Sequence, residues 1–361
     1  MDNLDNILSR FAIKGKILSI KPLGNGLIND TYKVETEGSS PDYVLQRINN
    51  VIFTDVDLLQ SNIESVTRHI RGKLVAEGET DITRKVLEFI PLKDSPKTYY
   101  FDGEKYWRVS VFIPEAFTYE TVNPEYSYFA GKAFGQFEAM LADIPDKLGE
   151  TIPDFHNMEL RSRQLKEAVA ADRVGRMAES EVQEILAELL KYDVEMCKAE
   201  RMYREGKLPK RICHCDTKVN NMLFDAEGNV LCVIDLDTVM PSFVFSDFGD
   251  FLRTAANTVA EDDPDIAAVD FRMDIFEAFS RGYIESASAF LTPIEKENLP
   301  YGALLFPYMQ AVRFFADYIN GDTYYKIKYP EHNLVRTRNQ VALFKSALSK
   351  REKMQSYIDS L

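Results

Sequence analysis

The chain of 361 residues is 45% hydrophobic and 28% charged, a balance that excludes extended disorder and leaves room for two domains. Its formal charge of -14 repels nucleic acid and anionic membranes, so neither is a predicted partner. The sequence contains no run of about 18 apolar residues, so no membrane span is predicted. Residues 1–11 lack the pattern of a secretory signal and the four cysteines are too few for a disulfide framework, so we expect a cytoplasmic protein.

Short β-type segments interrupted by glycine begin the chain and predict an antiparallel sheet. The predicted strands are 17–23, 31–35, 43–48, 98–101 and 106–113. One helix is predicted over 55–74, because its apolar residues recur at helical spacing and Thr54 can act as its N-cap. These elements predict a small N-terminal domain of residues 1–113.

The remaining chain, residues 114–361, is predicted to be a larger and mainly helical domain. Its predicted helices, each with an apolar face, are 126–141, 161–174, 179–203, 266–288, 293–320 and 334–360. One β-rich segment, 211–239, interrupts them. The sequence therefore predicts an α+β protein with a small antiparallel sheet domain, including one helix, before a helical one.

The β-rich segment contains residue types that phosphoryl transfer requires. His214, Asp216 and Asn221 lie on a short loop, and a predicted hairpin then leads to Asp235. Such a reaction needs a carboxylate that accepts the proton of the attacking hydroxyl, and oxygen ligands for magnesium. Asp216 fits the first role, and Asn221 with Asp235 fits the second.

This arrangement resembles the catalytic loop and metal-binding acid of the aminoglycoside-phosphotransferase-like kinases, which are relatives of the protein kinases. Longer stretches are similar to the N-acetylhexosamine 1-kinases. They are 23–32, 44–49, 232–241 and 317–322. The resemblance implies a two-lobe protein-kinase-like fold and phosphorylation, with ATP and Mg²⁺, of the anomeric hydroxyl of N-acetylglucosamine or N-acetylgalactosamine.

Four further residues of this region have alternative interpretations. Lys218 lies where the related kinases carry a cation that neutralises the transferring phosphoryl group, and the alternative is a solvated lysine. Asp247-Phe248-Gly249 spells the metal motif of protein kinases, but its distance from Asp216 favours a structural role for Asp247 and Asp250. His214 is expected to support the loop through the backbone. A zinc site with the flanking cysteines is disfavoured, because an extended strand over 211–215 would point the imidazole away from both thiols.

A glycine-rich turn and a strand arginine are the predicted nucleotide contacts. Gly24-Asn25-Gly26 lets backbone N–H groups approach phosphate, and it lacks the features of a Walker A loop or a Rossmann fingerprint. Arg47 occupies the place of the phosphate-pairing lysine of protein kinases, with Glu64 as its expected helix partner. Adenine is expected to dock on the backbone between Phe112 and Glu115.

The acceptor site is predicted on a late segment. Arg313, Asp317, Tyr318 and Tyr324 offer the donors, acceptors and aromatic surface that a sugar pocket needs. Arg313 and Asp317 could instead form an ordinary i,i+4 ion pair. His332-Asn333 belongs to the same resemblance without an assigned role.

Two other functions remain open at this level. One is a kinase of the same fold that acts on another small alcohol, such as an amino alcohol, homoserine, a thioribose or an aminoglycoside. The other is a nucleotide-binding scaffold without turnover. The sequence leaves the epimer, the preferred nucleotide, the number of magnesium ions and the oligomeric state open, and it is compatible with a monomer.

Overall fold

A computed structural model describes residues 4–23, 29–118 and 122–361. The chain divides into two compact units. The first comprises Met1–Thr118, Asp143–Pro153 and Asn221–Met240, and the second Tyr119–Ala142, Asp154–Asn220 and Pro241–Leu361. The first unit thus takes in two segments that lie beyond residue 113, the predicted end of the N-terminal domain.

The first unit is built on a five-stranded antiparallel sheet in the order β1-β2-β3-β5-β4. Its strands are β1 (Ile17–Pro22), β2 (Asp30–Thr36), β3 (Tyr43–Ile48), β4 (Tyr99–Phe101) and β5 (Tyr106–Val111). Alternate residues such as Val34, Leu45, Trp107 and Val109 point to one face and are buried there with the short helix α1 (Leu4–Leu8). The predicted antiparallel sheet is confirmed.

Helix α2 (Val56–Ala76) confirms the predicted helix of this unit, and its Leu59, Ile63 and Val66 are buried. Its N-cap is Asp55, whose side chain accepts a hydrogen bond from the N–H of Leu58, and not the expected Thr54. A short helix, α3 (Ile82–Lys85), follows. The predicted hairpin is also present, with β7 (Met222–Phe224) paired to β8 (Val230–Val233).

The second unit is mainly helical. Its elements are α4 (Pro124–Leu141), α5 (Met158–Ala171), α6 (Ser180–Leu190), α7 (Asp193–Met196), α8 (Lys198–Arg204), β6 (Arg211–Cys213), α9 (Phe245–Ala255), α10 (Met273–Ala287), α11 (Pro293–Glu297), α12 (Leu299–Ile319), α13 (His332–Ser349) and α14 (Arg351–Ser360). Strand β9 (Met240–Ser242) precedes α9. Several of the predicted helices are therefore divided into shorter ones. Helix α9 was not among the predicted helices. The α+β class is confirmed.

The state of the cysteines and the character of the helices can be compared with the expectations of no disulfide framework and no membrane span. The four cysteine thiols are free. Within the described ranges, no helix combines the length and apolar character needed to cross a bilayer.

Candidate active site

The loop after β6 is tied to the first turn of α9 by Asp247. Its carboxylate accepts hydrogen bonds from the backbone N–H groups of His214 and Cys215, each at 2.7 Å. Its carbonyl oxygen accepts a hydrogen bond from the hydroxyl of Thr217 at 2.8 Å. The structural role predicted for Asp247 is confirmed. The extended stretch expected over 211–215 ends earlier, because Cys215 has φ 62° and turns its N–H toward Asp247.

His214 supports the same loop from inside. Its Nδ1 accepts a hydrogen bond from the backbone N–H of Asp216 at 3.3 Å. The ring is fully buried and meets the rings of Phe134 and Phe137 edge-on, with centroids 5.6 and 5.9 Å away. The expected backbone-supporting role of His214 is confirmed, and it holds the backbone of the candidate base itself.

Asp216 and Lys218 form an ion pair on this loop, with Nζ 2.6 Å from Oδ1. Burial of Lys218 opposes its charge, but Asp216 and Asp250 outweigh that effect and raise the pKa of the lysine. The lysine is thus paired with the candidate base, while its side chain remains 41% exposed. Its predicted contact with a transferring phosphoryl group stays a prediction.

Asp250 lies one turn further along α9 and is buried. Arg253 pairs with it at 3.3 Å and with Glu261 at 2.8 Å. Burial raises the pKa of Asp250, Arg253 opposes that rise, and the charge of Asp216 adds to it. Asp250 therefore lies within electrostatic range of the candidate base and is bound to its own helix, as its predicted structural role requires.

A fully buried acidic cluster lies behind Asp247. Glu138, Cys213 and Asp247 offer side-chain atoms within 4.8 Å of one another, and the hydroxyl of Tyr283 donates to Glu138. Burial and then the charge of Asp247 raise the pKa of Glu138 well above its usual value. Burial also raises the pKa of Asp247, but two backbone amides stabilise its anion. Glu138 is therefore the more readily protonated of the two carboxyl groups.

The predicted metal ligands lie at one end of the hairpin in the first unit. The N–H of Ile234 donates to the carbonyl oxygen of Asn221 at 2.9 Å, so Asp235 follows directly beside Asn221. Asp235 has φ 59° and ψ 58°, a left-handed conformation that is uncommon outside glycine. An amide oxygen and a carboxylate are ligands that Mg²⁺ accepts, so the donor set fits the predicted ion.

The expected ion pair between Arg47 and Glu64 is not formed. Arg47 and Asp30 face each other across β2 and β3, and the Nε of Arg47 donates to Asp30 at 2.5 Å. Glu64 accepts a hydrogen bond from the hydroxyl of Thr98 instead. Direct cross-strand pairing thus takes precedence over the helix partner. The turn Gly24-Asn25-Gly26 lies outside the described residues, so its phosphate contact stays a prediction.

The segment expected to bind adenine has several backbone groups already engaged. The N–H of Phe112 donates to Asp42 at 2.9 Å. The carbonyl oxygens of Pro114 and Glu115 accept hydrogen bonds from Arg84 at 3.2 and 2.9 Å. The adenine contact predicted between Phe112 and Glu115 stays a prediction, with the N–H of Phe112 already used within the sheet unit.

Three of the four predicted acceptor residues line one cavity of the second unit. The cavity has a volume of about 300 Å³ and lies between α5, α12 and the loop after α12. Its lining residues include Arg161, Gln164, Glu167, Arg173, Arg313, Asp317, Asn320, Thr323, Tyr324 and Tyr325. Tyr318 is not among them: its carbonyl oxygen accepts from Arg176, whose guanidinium lies 3.9 Å from the centre of its ring.

Asp317 lines the cavity but its carboxylate is used to hold the loop. It accepts hydrogen bonds from the backbone N–H groups of Thr323, Tyr324 and Tyr325 at 2.8 to 3.0 Å. The amide of Asn333 donates to it at 2.9 Å. The alternative ion pair between Arg313 and Asp317 is not formed among the described residues, because these amides take the carboxylate. Asp317 thus shapes the cavity wall and presents Tyr324.

His332 and Asn333 also hold the loop after α12 in place. Asn333 also donates to Asp322 at 2.8 Å, so one amide connects Asp317 of α12 with Asp322 of the following loop. His332 accepts from the N–H of Lys328 through Nδ1, which leaves its Nε2 to donate to Asp262 at 3.2 Å. Both residues fix the loop that closes the cavity.

Sequence reasoning missed Arg161 and His156 in this region. Burial, with the nearby charge of Arg313, lowers the pKa of Arg161 to about 10. Burial and then Arg313 also lower the pKa of the neighbouring His156 well below its usual value. The arginine comes from α5, far from Arg313 in sequence. No local sequence motif indicates that Arg161 and Arg313 lie close together. The available signal was the presence of Arg161 within a predicted amphipathic helix.

Solved structures share this architecture. An aminoglycoside phosphotransferase from Alicyclobacillus acidocaldarius is 14% identical, with a TM-score of 0.66 over 99% of this chain and 96% of its own. An ethanolamine kinase from Plasmodium vivax is 13% identical, with a TM-score of 0.53 over 90% of this chain and 82% of its own. Spectinomycin phosphotransferase, solved with ADP and spectinomycin, is 13% identical, with a TM-score of 0.50 over 99% of this chain and 92% of its own.

The fold, with its sheet unit, helical unit and supported acidic loop, is that of the small-molecule kinases related to protein kinases. The predicted two-lobe fold class is confirmed. The chain belongs to the phosphotransferase enzyme family, whose pattern matches residues 19–283. It is therefore a phosphotransferase of the class that acts on alcohol groups.

Proposed function

We propose that the chain is an ATP- and Mg²⁺-dependent kinase that phosphorylates the anomeric hydroxyl of N-acetylglucosamine or N-acetylgalactosamine to the sugar 1-phosphate. The family supplies phosphoryl transfer to an alcohol. The acceptor is supported by the resemblance of four sequence stretches to N-acetylhexosamine 1-kinases and by the charge of the cavity.

The charge of the cavity is the observation that carries the acceptor assignment. Arg161, Arg173 and Arg313 line it, while the carboxylate of Asp317 is already occupied by amides and Glu167 is the other acid of the lining. A positive lining disfavours acceptors that carry ammonium groups, such as amino alcohols and aminoglycosides. Guanidinium donors suit sugar hydroxyls and an acetamide carbonyl, and Tyr324 offers an aromatic surface.

Asp216 is the proposed general base. In the reaction, the sugar oxygen forms a bond to the γ-phosphorus as the bond from that phosphorus to the β–γ bridging oxygen breaks, and ADP leaves. The proton of the sugar hydroxyl passes to Asp216 and then to solvent. Lys218, fixed beside Asp216, compensates negative charge as the phosphoryl group moves.

Asn221 and Asp235 would hold magnesium through their side-chain oxygens, and bound magnesium neutralises charge on the phosphates. Asp235 follows the β8 strand in a left-handed backbone conformation. The nucleotide would be held by the Gly24-Asn25-Gly26 turn and by the backbone between Phe112 and Glu115. Arg47 pairs with Asp30 through Nε, which leaves other guanidinium donors for a phosphate.

A single-turnover experiment tests this proposal. The protein is mixed with ATP, Mg²⁺ and one acceptor from a panel of N-acetylglucosamine, N-acetylgalactosamine, glucosamine, choline and ethanolamine, and the products are separated and identified by phosphorus NMR. We expect sugar 1-phosphate from at least one acetylated hexosamine and none from the cationic acceptors. Turnover of choline or ethanolamine without any sugar 1-phosphate would refute the acceptor assignment.

A pair of arginine variants tests the cavity itself. Arg313→Met should raise the KM for the sugar about tenfold or more while the KM for ATP stays within twofold, because the cavity loses a charged donor. Arg338→Met is the matched control, since Arg338 pairs with Glu181 on the surface of the same unit. Equal effects of the two variants on the sugar KM would place the acceptor elsewhere.

A further inference from the structure

The turn that carries Asp235 is held in an unfavourable backbone conformation. Asp235 lies in the left-handed region, which costs energy for any residue with a side chain and persists only where the surroundings impose it. The next acid in the sequence, Asp237, is contacted by three residues of the same unit, Arg108, Asn29 and Thr151.

Asp237 is buried, with 3% of its surface exposed, and three segments of the first unit bind it. The Nη1 of Arg108 lies 2.6 Å from its Oδ1. The side-chain amide of Asn29 donates to Oδ2 at 2.7 Å. The hydroxyl of Thr151 donates to its backbone carbonyl at 2.9 Å. The position of Asp237 is therefore fixed from β5, from the start of β2 and from the segment around residue 151.

Arg108 is also held in place by a contact other than the one with Asp237. It is 2% exposed on β5, and its Nε donates to the amide oxygen of Gln46 on β3 at 3.0 Å. At the other end of the turn, the side-chain amide of Asn62 on α2 donates to the carbonyl oxygen of Val239 at 3.0 Å. The sheet and the helix thus hold the turn 235–239 at two points.

A buried ion pair of this kind contributes little net stability. Removing two charges from water costs about as much as their attraction returns, and apolar pairs of similar volume often serve as well. A charge pair does, however, fix the distance and direction between two elements, as hydrogen-bonded groups that orient metal ligands do. Geometry is therefore the better explanation for Arg108 and Asp237.

We propose that Arg108 and Asp237 are positioning residues that set the carboxylate of Asp235 for binding a magnesium nucleotide. This inference rests on the proposed kinase function and on the metal role of Asp235. Arg108 supplies a buried positive charge within the five-stranded sheet. It lies on β5, next to β3, and β3 corresponds to the strand that carries the phosphate-pairing lysine in protein kinases. In this role Arg108 acts through Asp237 and Asp235.

The test measures metal binding directly. The full-length protein is titrated with a preformed 1:1 complex of Mn²⁺ and ADP, and binding to the protein is followed by the relaxation enhancement of water protons. Arg108→Lys keeps the charge but loses the forked geometry, so the Kd for Mn²⁺–ADP should rise about tenfold or more. Asp237→Asn should do the same. Trp107→Phe is the control, because Trp107 is buried on the opposite face of β5, and its Kd should stay within twofold although the protein is less stable.

The outcomes separate this inference from the proposed function. A folded Arg108→Lys protein with wild-type Mn²⁺–ADP affinity would refute the positioning role alone. An equal rise of the Kd in Trp107→Phe would also refute it, since general weakening of β5 would then explain the result. If the wild-type protein binds no Mn²⁺–ADP at all, the kinase function itself fails.

Discussion

Asp216 is the residue whose chemistry is most directly testable. The loop that carries it is held by Asp247 and His214, so exchange of its carboxylate for an amide should leave the backbone in place. Asp216→Asn should lower kcat by ~10²–10⁴, the usual effect of removing a general base. The measurement is the steady-state rate together with ADP affinity by calorimetry, and the affinity should stay within about threefold. A rate near that of the wild type would assign the base elsewhere.

Glu138 should make folding stability depend on pH. Its folded-state pKa lies above the unfolded value, because burial and Asp247 disfavour its anion, with Cys213 and Tyr283 as the other titratable neighbours. The folded protein thus keeps a proton that the unfolded chain has released above about pH 4.5. Its contribution is present below that pH and is lost as pH rises toward the folded pKa.

Glu138→Gln should remove this loss, because the amide is neutral at every pH and still accepts from Tyr283. Urea unfolding between about pH 5 and pH 8 should show the variant gaining on the wild type by up to ~1.4 kcal/mol per pH unit. Asp216→Asn serves as the control, because it neutralises a carboxylate that lies outside the cluster of Glu138. Parallel curves for Glu138→Gln and the wild type would mean that Glu138 is ionised in the folded protein.

Single residues differ in how far the sequence could predict them. His214, Asp216 and Asp247 follow from spacing, because a short loop and the helix after it are near neighbours in the chain. Glu138 and Arg161 could not be predicted, since each reaches its partner from a helix far away in sequence. The expected pairing of Arg47 with Glu64 was wrong because the actual cross-strand neighbour, Asp30, depends on the register of β2 and β3.

At the scale of elements, α4 and α10 approach so closely that glycine is required at the contact. A Cβ on Gly131 would overlap the carbonyl oxygen of Phe279, and a Cβ on Gly135 would lie 2.6 Å from the carbonyl oxygen of Tyr283. Gly131→Ala should therefore destabilise the protein by ~1–3 kcal/mol, the usual cost of overpacking. Denaturant unfolding gives the value.

Gly72→Ala is the matched control for this contact. Gly72 lies inside α2 with nothing within 4 Å of its added Cβ, so alanine should stabilise the helix by up to ~1 kcal/mol. Opposite signs for the two alanine variants are expected. A neutral Gly131→Ala would show that α4 and α10 can separate without cost.

The divided helices show why element ends were harder to predict than elements. The stretch 179–203 keeps an apolar face throughout, yet it forms α6, α7 and α8. The hydroxyl of Tyr308 donates to the carbonyl oxygen of Leu189 at 2.8 Å, and that of Tyr301 donates to Met196 at 2.6 Å. These carbonyls at helix ends are satisfied by tyrosines of α12. A distant hydrogen bond of this kind leaves no mark such as glycine or proline in the local sequence.

For the whole molecule, chain order and compact units do not coincide. The first unit is completed by 143–153 and 221–240. Asn62 of α2 hydrogen-bonds to both segments, and Arg108 of β5 forms an ion pair with Asp237. Sequence periodicity predicted the strands and the hairpin, but assignment of the hairpin to a unit depends on buried polar contacts between distant segments. The predicted metal ligands Asn221 and Asp235 thus belong to the first unit although they lie far beyond residue 113 in the chain.

Nucleotide binding should stabilise the whole folded protein, since a ligand that binds only the folded state adds RT ln(1 + [L]/Kd) to the free energy of unfolding. With MgADP at 100 times its Kd, the gain should be about 2.7 kcal/mol, measured by thermal unfolding at several ligand concentrations. Asp216→Asn should keep this gain, because its carboxylate acts on the acceptor. Arg108→Lys should show a smaller gain at the same MgADP concentration, because it orients Asp235 less well. Wild-type protein that gains stability yet transfers no phosphate to any acceptor would be a nucleotide-binding scaffold, and protein that gains none would not use adenine nucleotides.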